Sequence, residues 1–142
     1  MYPEGRSSQP CTDSAQKRFG LAAHRLVLCI DDEESGLAIR KLLLQEAGYE
    51  VVACSEPKKA LALFLELQVC LVLLDYMMPG LNGMDLARQM RSRKPHVPIV
   101  MLSGCIDVPR DVETVVDVFL LKGGESSVLL DDIQQLVGKD AA

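Results

Sequence analysis

The 142-residue chain has no apolar run approaching the roughly 18 residues that a membrane-crossing helix needs. Its N-terminus lacks the hydrophobic core of a secretion signal. A cytoplasmic protein with no membrane partner is therefore expected. Lys and Arg number 15 against 20 Asp and Glu, for a formal net charge of -5. A general basic surface for nucleic acid is thus missing. The 5 cysteines form no CxxC pair, and the 2 histidines, His24 and His96, lie far apart. Neither a zinc donor set nor a disulfide framework is present. Cys29, Cys54 and Cys70 lie in apolar runs, where cysteine behaves as a small hydrophobe, and reduced thiols are expected. There is no internal repeat and no sign of a second domain. At this length one domain is the prior, and 49% hydrophobic with 25% charged residues suits a globular core.

What is present is an alternation of short apolar runs and helical patterns. Arg25 to Ile30, Glu50 to Cys54, Val69 to Leu74, Pro98 to Leu102 and Val118 to Leu121 read as strands. The first of these ends in Asp31-Asp32, the third in Asp75, the fourth in Ser103-Gly104 and the fifth in Lys122-Gly123-Gly124. Between them, Leu37, Ile39, Leu42, Leu43 and Ala47 recur at helical spacing, leaving Arg40, Lys41, Gln45 and Glu46 for solvent. Gly48 is a fitting stop. Ser55 is the expected cap of a second helix that runs to about Leu67, with Pro57 in its first turn. A third helix spans Met84 to Arg93, with Leu86, Ala87 and Met90 on one face. A short fourth begins at Asp107-Val108-Pro109 and turns Val112, Val115 and Val116 inward. Ser126 or Ser127 is the expected cap of a fifth, carrying Leu129, Ile133 and Leu136. Pro79, Gly80, Asn82 and Gly83 make the segment after Asp75 a loop.

Strands joined by helices must run parallel with right-handed crossovers. The expected fold is an α/β three-layer sandwich around a five-stranded parallel sheet, with about five helices and the fourth shortened. Residues 1–23, rich in Pro, Gly and Ser, are expected to be a disordered leader. The domain is expected over 24–138, followed by a short tail at 139–142.

In such a sheet all carboxyl ends lie on one edge. Asp31, Asp32, Asp75, Ser103 and Lys122 are delivered there together. One of these residues alone could simply end a strand; five at one edge suggest a site. Three close carboxylates should raise one another's pKa values, and a hard divalent cation with oxygen ligands relieves that repulsion. Lys122 supplies a charge for an anion and Ser103 a short donor. The set suits transfer of a phosphoryl group onto an aspartate, with Asp75 as nucleophile.

These residues resemble the receiver domains of two-component response regulators, the chemotaxis-regulator-like family. The resemblance rests on Asp31-Asp32 after the first strand, on Asp75-Tyr76-Met77-Met78-Pro79-Gly80-Leu81-Asn82-Gly83, on Ser103-Gly104, on Lys122, and on Phe119 at the aromatic switch position. It covers about Arg25 to Val137. It implies a flavodoxin-like strand order of 2-1-3-4-5 and a phospho-acceptor at Asp75. It implies Mg²⁺ (or Mn²⁺) held by Asp32 and Asp75 directly, by Asp31 mainly through water, and by the backbone carbonyl of Met77. Ser103 and Phe119 would be the switch residues. The implied donor is a histidine kinase or histidine phosphotransfer protein. The response would be partner binding or phosphate relay, with a phosphorylation-dependent homodimer also open. The implied activity is self-phosphorylation and self-dephosphorylation only.

Two features depart from the family pattern. Lys122 is followed by Gly123-Gly124 where Lys-Pro is usual, so a trans and looser turn is expected. The stretch from Ser103 to Lys122 is short, which truncates the fourth helix. A competing reading is a Mg²⁺-dependent phosphohydrolase acting on small phosphate esters through the same carboxylates. It lacks the Asp-x-Asp nucleophile pattern and a cap insertion. A flavodoxin-like cofactor binder lacks a Gly-rich phosphate loop after the first strand.

Overall fold

In chain order the elements are β1 (Leu26–Ile30), α1 (Glu34–Glu46), β2 (Glu50–Cys54), α2 (Pro57–Glu66), β3 (Leu71–Asp75), a two-strand hairpin β4 (Met77–Met78) and β5 (Leu81–Asn82), α3 (Gly83–Arg93), β6 (Ile99–Ser103), α4 (Val112–Val115), β7 (Val118–Leu121) and α5 (Ser126–Ala141). The computed structural model describes residues 25–105 and 107–141. The leader expected at 1–23 lies outside the described residues.

The main sheet has the order β2-β1-β3-β6-β7. Setting the short hairpin aside, this is the expected 2-1-3-4-5 order, and all four pairings are parallel. The three central strands are buried at every residue, whereas β2 and β7 are only part-buried. Their continuous apolar runs follow from having a helix layer on each face. Strand side chains alternate between faces, which splits the core in two. Leu28, Ile30, Val72, Leu74, Ile99 and Met101 meet Phe64 of α2, Met84 and Met90 of α3, and Val112 and Val115 of α4. Val27, Cys29, Leu71, Leu73, Val100 and Leu102 meet Leu37 and Leu44 of α1 and Leu129 and Ile133 of α5.

Several local expectations are corrected. On α1 the buried positions are Leu37 and Leu44, while Ile39 and Leu42 are 68% and 58% exposed. The inward stripe is Leu37, Arg40, Leu44, spaced i, i+3, i+7, and Arg40 occupies it although it is charged. Ser55 does not cap α2. Glu56 stands at the N-cap, makes no side-chain cap bond, and is followed by Pro57 at the first helical position. At α5 the Glu125 carbonyl accepts from the Val128 and Leu129 amides, so Glu125, not Ser126 or Ser127, flanks the first helical residue. Helix α4 is a single turn that begins at Val112 rather than at Asp107. Val112, Val115 and Val116 are buried as expected. Arg91 secures that turn from α3, donating to the Val115 carbonyl at 3.0 and 3.1 Å and to Asp117 at 2.6 Å.

The segment after Asp75 is tightly folded. Gly80, at φ 74°, turns the hairpin. The Asn82 side chain accepts from the Met84 amide at 2.7 Å and caps α3. Gly83 donates to the Tyr76 carbonyl at 2.8 Å. A Cβ at Gly83 would lie 2.5 Å from the Asp75 carbonyl oxygen and 2.8 Å from Tyr76 Cα. Backbone must pass backbone here, so only glycine fits. Gly83→Ala should therefore lower unfolding stability by about 1–3 kcal/mol, read from the urea midpoint at unchanged slope. A parent-like midpoint would show that the loop has room to shift.

Candidate functional site

Three hydrogen bonds extend the sheet ladder one step past the strand ends, and each fixes a residue of the edge. The Asp31 amide donates to Cys54 at 3.1 Å, the Tyr76 amide beside Asp75 to Leu102 at 2.8 Å, and the Lys122 amide to Ser103 at 2.7 Å. The side chains that emerge next to these points are those the sequence places at the edge. Asp31, Asp75 and Ser103 are buried, and Asp32 is exposed. Carboxylate oxygens of Asp31, Asp32 and Asp75 all lie within 4.8 Å of one another. The Lys122 ammonium bridges two of them, 3.0 Å from Asp75 Oδ1 and 3.1 Å from Asp31 Oδ2.

Asp31 has further partners. Its Oδ1 accepts from the Glu33 amide at 2.9 Å, and its Oδ2 pairs with the Arg40 guanidinium as well as Lys122. Arg40 is the functional residue that the sequence reading assigned to solvent. Its signal lay in the helix period: it is three residues after Leu37 and four before Leu44, on the stripe that faces the sheet.

Ser103 reaches the edge, but its hydroxyl is engaged within its own loop. It donates to the Cys105 carbonyl at 2.8 Å and accepts from the Cys105 amide at 3.1 Å. Phe119 lies opposite Met101 in the register and packs, half-buried, on the core shared by α2, α3 and α4. Met77 is exposed in the hairpin that follows Asp75. The Lys122 turn contains no cis peptide, as expected, and Gly123 adopts φ 85°, a backbone favouring glycine.

The electrostatics separate the two buried aspartates. For Asp31, burial pushes the pKa up, but the Glu33 amide, the Lys122 ammonium and the Arg40 guanidinium outweigh it and hold the carboxyl below its ordinary value. For Asp75, burial is the largest influence and the Asp31 charge adds to it, so the carboxyl is raised despite Lys122. Mutual repulsion of the carboxylates was expected to raise them together. Asp31 departs from that because the Glu33 amide and the Lys122 ammonium bond its carboxylate directly, with Arg40 adding to them. Lys122 is raised: burial opposes its charge, but its bonds to Asp75 and Asp31 prevail. Cys29, beneath the site, is pushed up to about 11 by burial, with Arg40 opposing.

The donor set consists of carboxylate oxygens clustered at the mouth of a sheet. It fits a hard divalent cation such as Mg²⁺ and offers neither nitrogen nor sulfur for a softer metal. A groove of about 420 Å³ opens beside it, between α1, the end of β7 and the start of α5. Ile39, Arg40, Leu121, Lys122 and Val128 are on its walls.

Known proteins place this arrangement. Residues 27–134 match the response regulator receiver domain family. The chain is 34% identical over 99 residues to the DNA-binding response regulator MtrA of Mycolicibacterium paratuberculosis, a match spanning 68% of this chain and 44% of that protein. It is 29% identical over 119 residues to the regulatory protein VanRB of Enterococcus faecalis, across 82% of this chain and 54% of that one. The chain thus spans about half the length of these curated relatives. Among solved structures, the response regulator TrrA from Thermotoga maritima, in complex with Mg(2+)-BeF, superposes with a TM-score of 0.75 at 28% identity, covering 79% of this chain and 98% of that one. A CheY-like receiver domain protein from Methanospirillum hungatei has the same fold, with a TM-score of 0.77 at 22% identity, covering 82% and 95%. No helix among the described residues is long and apolar enough to cross a membrane. With the family match running across the sheet and through every residue of the acidic edge, the chain belongs to the response regulator receiver domain family of two-component signalling.

Proposed function

We propose that this receiver accepts a phosphoryl group on Asp75 from a phosphorylated histidine of a kinase or phosphotransfer protein, in the cytoplasm and with Mg²⁺ bound. The observation that carries this reading is the Lys122 ammonium held 3.0 Å from Asp75 within a cluster of three carboxylates. An Asp75 oxygen attacks phosphorus, the P–N bond breaks, and its electron pair returns to the imidazole nitrogen, which then takes a proton. The product is an acyl phosphate that water later cleaves. Mg²⁺ held by Asp32, Asp75 and the Met77 carbonyl, with Asp31 through water, would supply charge neutralisation at the phosphoryl oxygens. Lys122 is in place to do the same from the protein side. Ser103 must leave Cys105 to donate to the phosphoryl group, and Phe119 would follow that movement to alter what the α4–β7 side binds. A relay role, or pairing of two phosphorylated copies, would use the same acceptor.

The face beside Asp75 suits a protein donor. Ile39, Leu42, Leu121 and Val128 are large apolar side chains left exposed, and three of them border the groove next to Lys122. A donor histidine has to come over this edge to reach Asp75.

Incubation with Mg²⁺ and acetyl phosphate should add one phosphoryl group by intact mass, and Asp75→Asn should add none. An adduct on the variant would sink the assignment. Asp75→Asn should also melt a few degrees higher than the parent at neutral pH. The folded pKa of Asp75 lies above its unfolded value, so ionising it disfavours the fold, and asparagine removes that cost. The advantage should fade as the pH falls through the folded pKa of Asp75, where the parent carboxyl is neutral too. A gain independent of pH would contradict this origin. Ile39→Glu should slow transfer by about tenfold from whichever of a panel of phosphohistidine proteins is fastest, while leaving the acetyl phosphate rate unchanged. Equal slowing with both donors would mean that the substitution damages the site rather than the docking.

A further inference from the structure

Arg40 has no role in the phosphoryl chemistry set out above, yet it is the most deeply placed cation of α1. Its side chain is 15% exposed, and it pairs with a carboxylate that is 1% exposed. A solvated helix face would not put a guanidinium there. An ionised carboxylate offers about four acceptor positions. On Asp31 three of them are filled by protein donors: the Glu33 amide on Oδ1, and Arg40 and Lys122 on Oδ2. One position remains, enough for a hydrogen bond from water but poor for direct coordination. Asp32, in contrast, is exposed and makes no ion pair among the described residues.

The charge balance points the same way. Three carboxylates face two protein cations, Lys122 and Arg40, so the edge carries one net negative charge. Without Arg40 it would carry two, and the attraction for a divalent ion would rise accordingly.

We propose that Arg40 is a positioning residue, a built-in counter-cation that occupies Asp31 and so sets the affinity of the acidic edge for divalent cations. It keeps the buried Asp31 carboxylate paired before any ion arrives. It also directs the ion toward Asp32 and Asp75, with Asp31 reached only through water. The proposal rests on the metal site of the preceding reading, and it adds a residue from a helix that the carboxylate pattern does not include.

The test is titration of the full chain with MgCl₂ alone at constant ionic strength, by calorimetry and by melting temperature. Arg40→Gln should bind Mg²⁺ tighter, on the order of tenfold, and should gain more melting temperature from it than the parent gains. Arg40→Met, which keeps the apolar stem, should behave alike. Arg40→Lys retains the charge and should return the affinity to near the parent value. A purely structural role predicts the opposite order, since loss of packing around Asp31 would weaken the site. If a neutral variant folds only with Mg²⁺, its ion-dependent folding reports the same coupling and supports the proposal. Parent-like or weaker Mg²⁺ binding in both neutral variants would overturn the proposal while leaving the metal site standing. Absence of Mg²⁺ binding in the parent would overturn the metal site, and this proposal with it.

Discussion

The Lys122 ammonium lies between Asp31 and Asp75, at hydrogen-bond distance from each, and the architecture converges on that contact. Two buried carboxylates side by side would be costly without a cation between them. The cation comes from the end of the edge strand β7, and the carboxylates come from two of the three central strands, β1 and β3. A fold that lets three non-consecutive strands finish at one level is therefore a requirement of the site. The parallel register meets it: Asp75 lies opposite Leu102, Ser103 lies opposite Leu121, and the next amide, that of Lys122, bonds back to Ser103. The apolar runs behind these residues supply the burial that gives the polar ends their altered acidity.

Much of this was legible in the sequence, for a simple reason. A buried parallel strand is a continuous apolar run, and its end is marked where the run stops. Asp31, Asp75, Ser103 and Lys122 each follow such a stop, so their shared edge needed no knowledge of side-chain conformation. The strand order came instead from the resemblance to receiver domains, and the shortness of α4 from the brief stretch between Ser103 and Lys122. The part that was not legible concerns exceptions to polarity rules. Arg40 lies on the inward stripe of α1, but a reading that sends charged residues to solvent must misplace it and then put Ile39 and Leu42 inside. The direction of the Asp31 shift was misread for a different reason: the Glu33 amide and the Lys122 ammonium bond its carboxylate directly, and Arg40 adds only a smaller contribution.

Capping was misjudged on other grounds. Ser55 and Ser126 or Ser127 have the right chemistry for a cap, yet Glu56 and Glu125 take those places. At α2 the fixed backbone of Pro57 sets the first helical residue, and geometry prevails over side-chain preference. The same priority of backbone over side chain holds at Gly83, where two chain segments pass too closely for any Cβ.

The loop after β6 bears on the switch role proposed for Ser103. The Ser103 hydroxyl uses both its proton and an acceptor lone pair on Cys105. A new contact toward Asp75 would therefore exchange one set of hydrogen bonds for another instead of adding to them. The difference between two such sets is on the scale of a single net hydrogen bond, about 1 kcal/mol. A bias of that size gives the loop no strong commitment to either position. On the proposed reading, a phosphoryl group on Asp75 would then have only to outweigh a small preference, and the rest of the fold, held by its two separate cores, would not need to be disturbed.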